Sequence, residues 1–118
     1  MTKILSVDDN PRVRKMIASL LKNRYDQFIE AEDGDEALEL YKSNRPDYVI
    51  MDLEMKNVDG LTATKNIINY DPLAHVIILT AHETSAFRDA AISAGASAFL
   101  GKDNLIMLTN LVQNHNSI

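Results

Sequence analysis

Cysteine is absent from this chain, which excludes disulfides and thiolate metal sites. Positive charge is in short supply. Twelve lysines and arginines stand against 17 aspartates and glutamates, a net charge of -5, whereas nucleic-acid binders carry a basic footprint. No apolar run is long enough to span a bilayer. Met1-Thr2-Lys3-Ile4-Leu5 enters an apolar run at once, so no signal peptide is expected. The expectation is a soluble cytoplasmic protein with no membrane insertion and no direct contact with nucleic acid. Repeats, low-complexity stretches and long linkers are also missing. The 118 residues are therefore expected to form a single domain, 1–118, long enough for a real core.

What is present is alternation. Five short apolar runs, at Lys3–Val7, 28–31, 48–51, Val76–Thr80 and 98–100, read as strands. Helical patterns fill the gaps. In the first, Val13, Met16, Ile17, Leu20 and Leu21 form a stripe, with Arg12, Arg14, Lys15 and Lys22 off it. Asn10 can cap that helix and Pro11 suits its first turn. The second spans about 35–42. The third carries Leu61, Thr64, Ile67 and Ile68, comes after the Asp59-Gly60 turn and stops before Pro72. The fourth, about 85–94, is rich in alanine and ends at Gly95. The fifth holds Leu105, Leu108, Leu111 and Val112. Strict alternation of this kind predicts an α/β fold, a five-stranded parallel sheet with helices on both faces. Ligands then bind at the carboxyl ends of the strands. In the doubly wound order 2-1-3-4-5, strands one and three are neighbours.

That order matters because of the residues at the carboxyl end of each run. Asp8 and Asp9 come after the first, Asp52 after the third and Lys102 after the fifth, and Thr80 ends the fourth. An aspartate after a strand is often only a turn or cap residue. Here Asn10 already fills the cap, so Asp8 and Asp9 are surplus to it. Three carboxylates in one crevice repel, and a hard divalent cation relieves this. Magnesium is the expected ion, with manganese as the alternative. Lys102 is by default a solvated loop lysine, and Thr80 a β-branched strand residue. Beside the carboxylates, Lys102 becomes an ion-pair partner and a point charge for a phosphoryl oxygen, and Thr80 a hydroxyl donor to an anion. A carboxylate nucleophile, a magnesium ion, a lysine and a hydroxyl are the parts phosphoryl transfer needs. Asp52 would attack phosphorus, with the metal on Asp52 and Asp9.

The chain resembles the receiver domain of two-component response regulators over essentially its whole length. The resemblance rests on Ile4-Leu5-Ser6-Val7-Asp8-Asp9-Asn10, Val49-Ile50-Met51-Asp52-Leu53, Met55 through Asp59-Gly60, Ile78-Leu79-Thr80-Ala81, and Ala94-Gly95-Ala96 running on to Phe99 and Lys102. It implies that Asp52 accepts phosphate from a sensor histidine kinase or a histidine phosphotransfer protein. Asp8, partly through a water, and Asp9 would organise the magnesium, with the Glu54 backbone carbonyl as a further ligand. Thr80 and Phe99 match the family's switch pair. Glu54 and His82 match the positions that flank the path of the hydrolysing water. Three residues depart from the family pattern. Lys56 replaces the usual proline after Met55, Phe99 stands where tyrosine is frequent, and Lys102-Asp103 replaces a Lys-Pro pair whose peptide bond is commonly cis.

Rival readings fare less well. A flavodoxin-like flavin binder needs a Ser/Thr/Gly-rich phosphate loop, and Asp8-Asp9-Asn10-Pro11 would repel a phosphate. A haloacid-dehalogenase-type phosphatase places its nucleophile after the first strand and its second aspartate two residues on, whereas here the two are adjacent. A receiver that is never phosphorylated would not need the intact acidic set. A phosphorelay intermediate and a receiver cut from a longer regulator remain the nearest alternatives to a stand-alone regulator. Output is expected through the fourth helix, fifth strand and fifth helix, where phosphate draws in Thr80 and Phe99 turns inward. The small Ala86, Ala90, Ala91 and Ala94, with Phe87 as the main anchor, suit the fourth helix to move. Ile106, off the apolar stripe, would join a contact with a downstream protein target or, in a phosphorylation-dependent homodimer, a second copy.

Overall fold

The structure is a computed structural model that describes residues 1–112. Its strands are β1 (Lys3–Val7), β2 (Gln27–Ala31), β3 (Tyr48–Asp52), β4 (Val76–Thr80) and β5 (Ala98–Gly101). Its helices are α1 (Pro11–Leu20), α2 (Gly34–Asn44), α3 (Gly60–Tyr70), α4 (Ser85–Ser93) and α5 (Leu108–Leu111), the last preceded by a 3-10 segment, Lys102–Met107. All strand pairs are parallel, in the order β2-β1-β3-β4-β5. This is the expected flavodoxin-like α/β arrangement, and the strand boundaries fall within a residue of those read from the apolar runs.

The period of two along each strand divides the core. Leu5, Val7, Val49, Met51, Val76 and Ile78 meet Ala37 and Tyr41 of α2, Ala63 and Ile67 of α3 and Ala91 of α4 on one face. Ile4, Ile50, Ile77 and Leu79 meet Ile17 of α1, Leu21, Leu108 of α5 and Val112 on the other. The inner strands are covered on both sides, which is why they read as unbroken apolar runs. Each large aliphatic side chain so buried contributes about 1.5–3 kcal/mol.

Helix starts obey local chemistry. The Asn10 side chain accepts the Arg12 N–H at 2.9 Å, with Pro11 at the first helical position. Asp59 accepts the Thr62 N–H at 2.9 Å, and Thr84 the Phe87 N–H at 3.1 Å. Gly95, just past α4, has φ +101°, a conformation that suits glycine.

Two expectations change. The fifth helix is not continuous, because Asn104 at φ -124°, ψ 41° breaks it and α5 proper is four residues. Leu105, Leu108 and Leu111 recur every three residues, a spacing that suits 3-10 geometry as well as α. Of that stripe, Leu108 and Val112 are buried, and Leu111 sits at the surface. On α1 the roles of two residues are reversed: Met16 is exposed and Arg14 is buried. Burial of the Arg14 guanidinium is tolerated because both its ends are paired. Nη1 donates to the Asp8 carbonyl at 2.5 Å and Nε to Glu30 at 2.9 Å. Among the described residues no helix is long and apolar enough to cross a membrane.

Candidate functional site

Asp52 is the last residue of β3, Thr80 the last of β4, and Asp8 and Lys102 come directly after β1 and β5. In register, Val7 faces Met51, Asp52 faces Leu79, and Thr80 faces Gly101. The parallel sheet therefore delivers all four side chains to one edge, the carboxyl edge where open α/β sheets bind ligands.

Lys102 is the keystone of the cluster. Its Nζ lies 3.1 Å from Asp8 Oδ2 and 3.1 Å from Asp52 Oδ1. Asp8 and Asp52 are almost wholly buried, at 2% and 4% exposure. The Asp8 loop is shaped by its own hydrogen bonds. Oδ1 accepts the Asn10 N–H at 2.9 Å, the Asp8 N–H donates to the Ala31 carbonyl, and Arg14 holds the Asp8 carbonyl. Asp8 Oδ2 has the ion pair but no aligned hydrogen bond, so a buried acceptor is left open to a cation. Asp8, Asp9 and Asp52 each offer a carboxylate oxygen, and these lie within 4.8 Å of one another. An all-oxygen set of this kind fits a hard divalent ion such as Mg2+.

The electrostatics arise from burial. Desolvation, then the charge of Asp8, pushes the Asp52 carboxyl up to about 6, against the pull of Lys102. Burial works against the Lys102 ammonium too, but its hydrogen bond to Asp52 and the charges of Asp52 and Asp8 outweigh this and move it upward.

Asp9 is exposed and lines an acidic cavity of about 430 Å³ with Glu32, Asp33, Asp35, Glu36, Lys56 and Asn57. Of the charges that act on Asp52, that of Asp9 ranks below those of Asp8 and Lys102. Asp9→Ala is therefore expected to weaken magnesium binding by at least tenfold, as loss of a metal-orienting group does. It should stabilise the metal-free fold by no more than about 0.5 kcal/mol, the range of a surface substitution. Titration calorimetry with Mg2+ and urea unfolding in a chelator measure the two effects. An unchanged magnesium affinity would remove Asp9 from the site.

The resemblance assigns switch roles to Thr80 and Phe99 and flanking roles to Glu54 and His82. Thr80 is buried, and its hydroxyl turns to the loop beyond it: Oγ1 accepts the His82 N–H at 2.9 Å and donates to the His82 carbonyl at 3.3 Å. A role as anion donor requires that pair to open. Phe99 is 6% exposed, with the Arg88 guanidinium 5.2 Å from its ring centre. The ring packs in the core cluster that also holds Ala91 of α4, whose own buried side chain is small. Glu54 and His82 are both exposed and pair with each other, Nε2 to Oε1 at 3.5 Å. The described residues contain no cis peptide bond, so Lys102-Asp103 is trans. Ile106 is 63% exposed, as its position off the stripe requires.

Two residues of this region escaped the sequence reading. For Arg14 the sequence holds no signal, since a charged residue off an apolar stripe reads as solvated. Asp33 did have one: Asp33-Gly34-Asp35-Glu36 is a helix-start pattern with acidic residues in the first turn.

A family model described as the response regulator receiver domain matches residues 4–113. Over 101 residues the chain is 42% identical to the chemotaxis protein CheY of Bacillus subtilis (strain 168), an alignment covering 85% of this chain and 84% of that protein. Among solved structures, a two-component response regulator of the LuxR family from Aurantimonas sp. SI85-9A1 superposes with a TM-score of 0.85 at 37% identity, covering 93% of this chain and 81% of that one. The CheX-CheY-BeF3-Mg+2 complex from Borrelia burgdorferi matches with a TM-score of 0.83 at 26% identity, covering 92% of this chain and 89% of that one.

Proposed function

The chain belongs to the response regulator receiver family, and from that premise we propose that it is a cytoplasmic phosphoacceptor that takes a phosphoryl group onto Asp52. The observation that carries this reading is the seat of Lys102, 3.1 Å from both Asp8 and Asp52 at the sheet's carboxyl edge. An Asp52 oxygen attacks phosphorus. The P–N bond of a donor phosphohistidine, or the P–O bond of acetyl phosphate, breaks, and the leaving group keeps the electron pair. The transition state is loose, so holding the nucleophile in line and neutralising charge are the main tasks. Lys102 serves both: it orients the Asp52 carboxylate beforehand and supplies a cation to a phosphoryl oxygen as its hold on Asp52 loosens. Magnesium, held by Asp9 and Asp52 with Asp8 through a water and the Glu54 carbonyl, would supply further positive charge. The similar chain from Borrelia burgdorferi belongs to a CheX-CheY complex with BeF3 and Mg+2, which supports the reading. The family is one of signalling domains, so the chemistry is confined to the protein's own phosphorylation and dephosphorylation.

The test is mass spectrometry after incubation with acetyl phosphate. One added phosphoryl group with Mg2+, and none in a chelator, is expected. No addition under either condition would overturn the reading.

Glu54 comes two residues after Asp52 and His82 two after Thr80, and the two side chains pair at 3.5 Å. In the family these positions flank the path of the hydrolysing water. Exchanging both for alanine is expected to change the dephosphorylation rate several-fold, a barrier shift of roughly 1 kcal/mol. Decay of the phosphorylated protein measures it, and an unchanged rate would mean that neither side chain reaches the path.

Output is proposed through α4, β5 and the segment from Lys102 to Leu111, toward a downstream protein. Ile92, Ile106 and Met107 are exposed apolar residues there. For a phosphoryl group to recruit the Thr80 hydroxyl, the His82 backbone must be released. The loop before α4 is therefore the expected first mover. Amide exchange with and without beryllofluoride should change at residues 81–94. Changes confined to α1 and α2 would place the face elsewhere.

A further inference from the structure

The segment from Glu54 to Asp59 has no regular structure and contributes no fully buried side chain, yet it must hold its shape beside Asp52. Its own sequence does little to restrain it, since Lys56 and Asn57 leave the backbone free where a proline would not. The restraint comes from outside. Asp33 Oδ2 accepts the Asn57 N–H at 3.0 Å, and Asp33 Oδ1 accepts the Val58 N–H at 2.9 Å. Oδ1 also accepts the Asp35 N–H at 3.3 Å, capping α2. Asp33 as a whole residue is 7% exposed. Burial opposes its charge, but the backbone N–H groups of Asn57, Val58, Asp35 and Gly34 outweigh this and hold the carboxyl below its ordinary range. Backbone contact supports the same junction. A Cβ on Gly34 would lie 2.4 Å from the Val58 carbonyl oxygen, so the start of α2 is seated directly on the loop. At the loop's far end the Gly60 N–H donates to the Leu53 carbonyl at 2.9 Å, and a Cβ on Gly60 would lie 2.1 Å from the Asp52 carbonyl oxygen.

We propose that Asp33 is a positioning residue for the phosphoacceptor: its carboxylate clamps the Asn57 and Val58 backbone and so fixes the loop that leads from Asp52 past Glu54. The inference rests on the receiver reading above. One carboxylate serves two loops, because each oxygen has more than one lone pair and charge-assisted bonds to N–H groups are the strong kind. A helix cap alone needs only one acceptor. The clamp needs both oxygens.

That difference provides the test. Asp33→Ser keeps a capping hydroxyl for α2, but one short oxygen cannot also reach Asn57 and Val58. Asp33→Asn keeps one acceptor and turns an N–H group toward a donor. Each variant is compared with wild type well below its unfolding transition. Mg2+ affinity is measured by calorimetry with the metal alone, and the rate with acetyl phosphate at saturating Mg2+ and donor. The expected result is faster amide exchange at Asn57 and Val58, weaker Mg2+ binding, and a saturated rate lowered roughly tenfold, the cost of misplacing a reacting group. Asn should fall between wild type and Ser. If Ser does not fold, Asn carries the test, with a smaller loss of the same sign. Folded variants that match wild type in Mg2+ affinity and saturated rate would make Asp33 a helix cap only and overturn the proposal. A wild type that takes up no phosphoryl group would overturn the phosphoacceptor reading, and this proposal with it.

Discussion

Asp52→Asn is expected to abolish phosphoryl uptake, by a factor on the order of 10³ or more, as removal of a nucleophile does. The substitution is nearly isosteric at the end of β3, so the sheet edge is preserved. Lys102 is not stranded, because its Nζ keeps Asp8 Oδ2 at 3.1 Å. Label from a phosphorylated histidine kinase or from acetyl phosphate reads the loss. Label on the variant equal to wild type would move the acceptor to another residue. The same substitution has a thermodynamic signature in the metal-free protein. The folded-state Asp52 carboxyl is raised to about 6 from an ordinary 3.8, chiefly by burial and then by Asp8. The folded state therefore binds the proton more tightly than the unfolded chain. The stability this contributes is fully present below the unfolded value and is lost as pH rises through the folded one. In a chelator, wild type should weaken between about pH 4 and 7, and the asparagine variant should lack that component. Above pH 6 the variant should therefore be more stable than wild type, by about 1–2 kcal/mol. Parallel urea curves for the two proteins across this window would contradict the raised value.

Lys102→Met should produce the largest loss of stability. It keeps most of the aliphatic stem and removes the cation seated between two buried carboxylates. Breaking a buried pair by removing one partner typically costs 3–5 kcal/mol, because the other charge stays buried and unpaired. About 3 kcal/mol is expected for the metal-free protein at pH 8. The loss has a ceiling, since one carboxylate can take up a proton instead of remaining charged beside the other. It should accordingly be smaller at pH 5 than at pH 8. Magnesium should restore part of it by supplying charge to the same oxygens. Phosphorylation should slow by on the order of 10²-fold, the effect of losing one preorganised electrostatic donor. Denaturant unfolding at the two pH values, with Mg2+ and with chelator, checks the whole pattern. Equal stability of variant and wild type in chelator at pH 8 would mean that the lysine does not neutralise the pair.

The elements were legible where local periodicity and a start signal agree. The central strands could be read because burial on both faces demands unbroken apolar residues, and β3 and β4 supply them. The start of α1 could be read from Asn10-Pro11. The fifth helix misled because a spacing of three leucines serves two helix types, and only the backbone at Asn104 separates them. Met16 and Arg14 exchanged places for a similar reason. Periodicity ranks residues by hydrophobicity, whereas burial also accepts a charge whose hydrogen bonds are met by Glu30 and the Asp8 carbonyl.

By itself, the sequence determined the strand and helix order and the chemical types gathered at one sheet edge: three carboxylates, a lysine and a hydroxyl, in a chain with no cysteine and a net charge of -5. These depend on residues within a few positions of one another and on a strand order that alternation makes common. Only the tertiary structure decided how those groups are paired. It set Lys102 between Asp8 and Asp52, left Asp9 outside at the rim, turned the Thr80 hydroxyl to the His82 backbone and buried Phe99. It also joined Asp33 to a loop 24 and 25 positions further along the chain. The physical reason is the reach of each interaction. A helix cap or an apolar stripe is satisfied by neighbours in sequence. A buried charge must find partners from whatever element the packing brings beside it, and no local pattern encodes which element that will be.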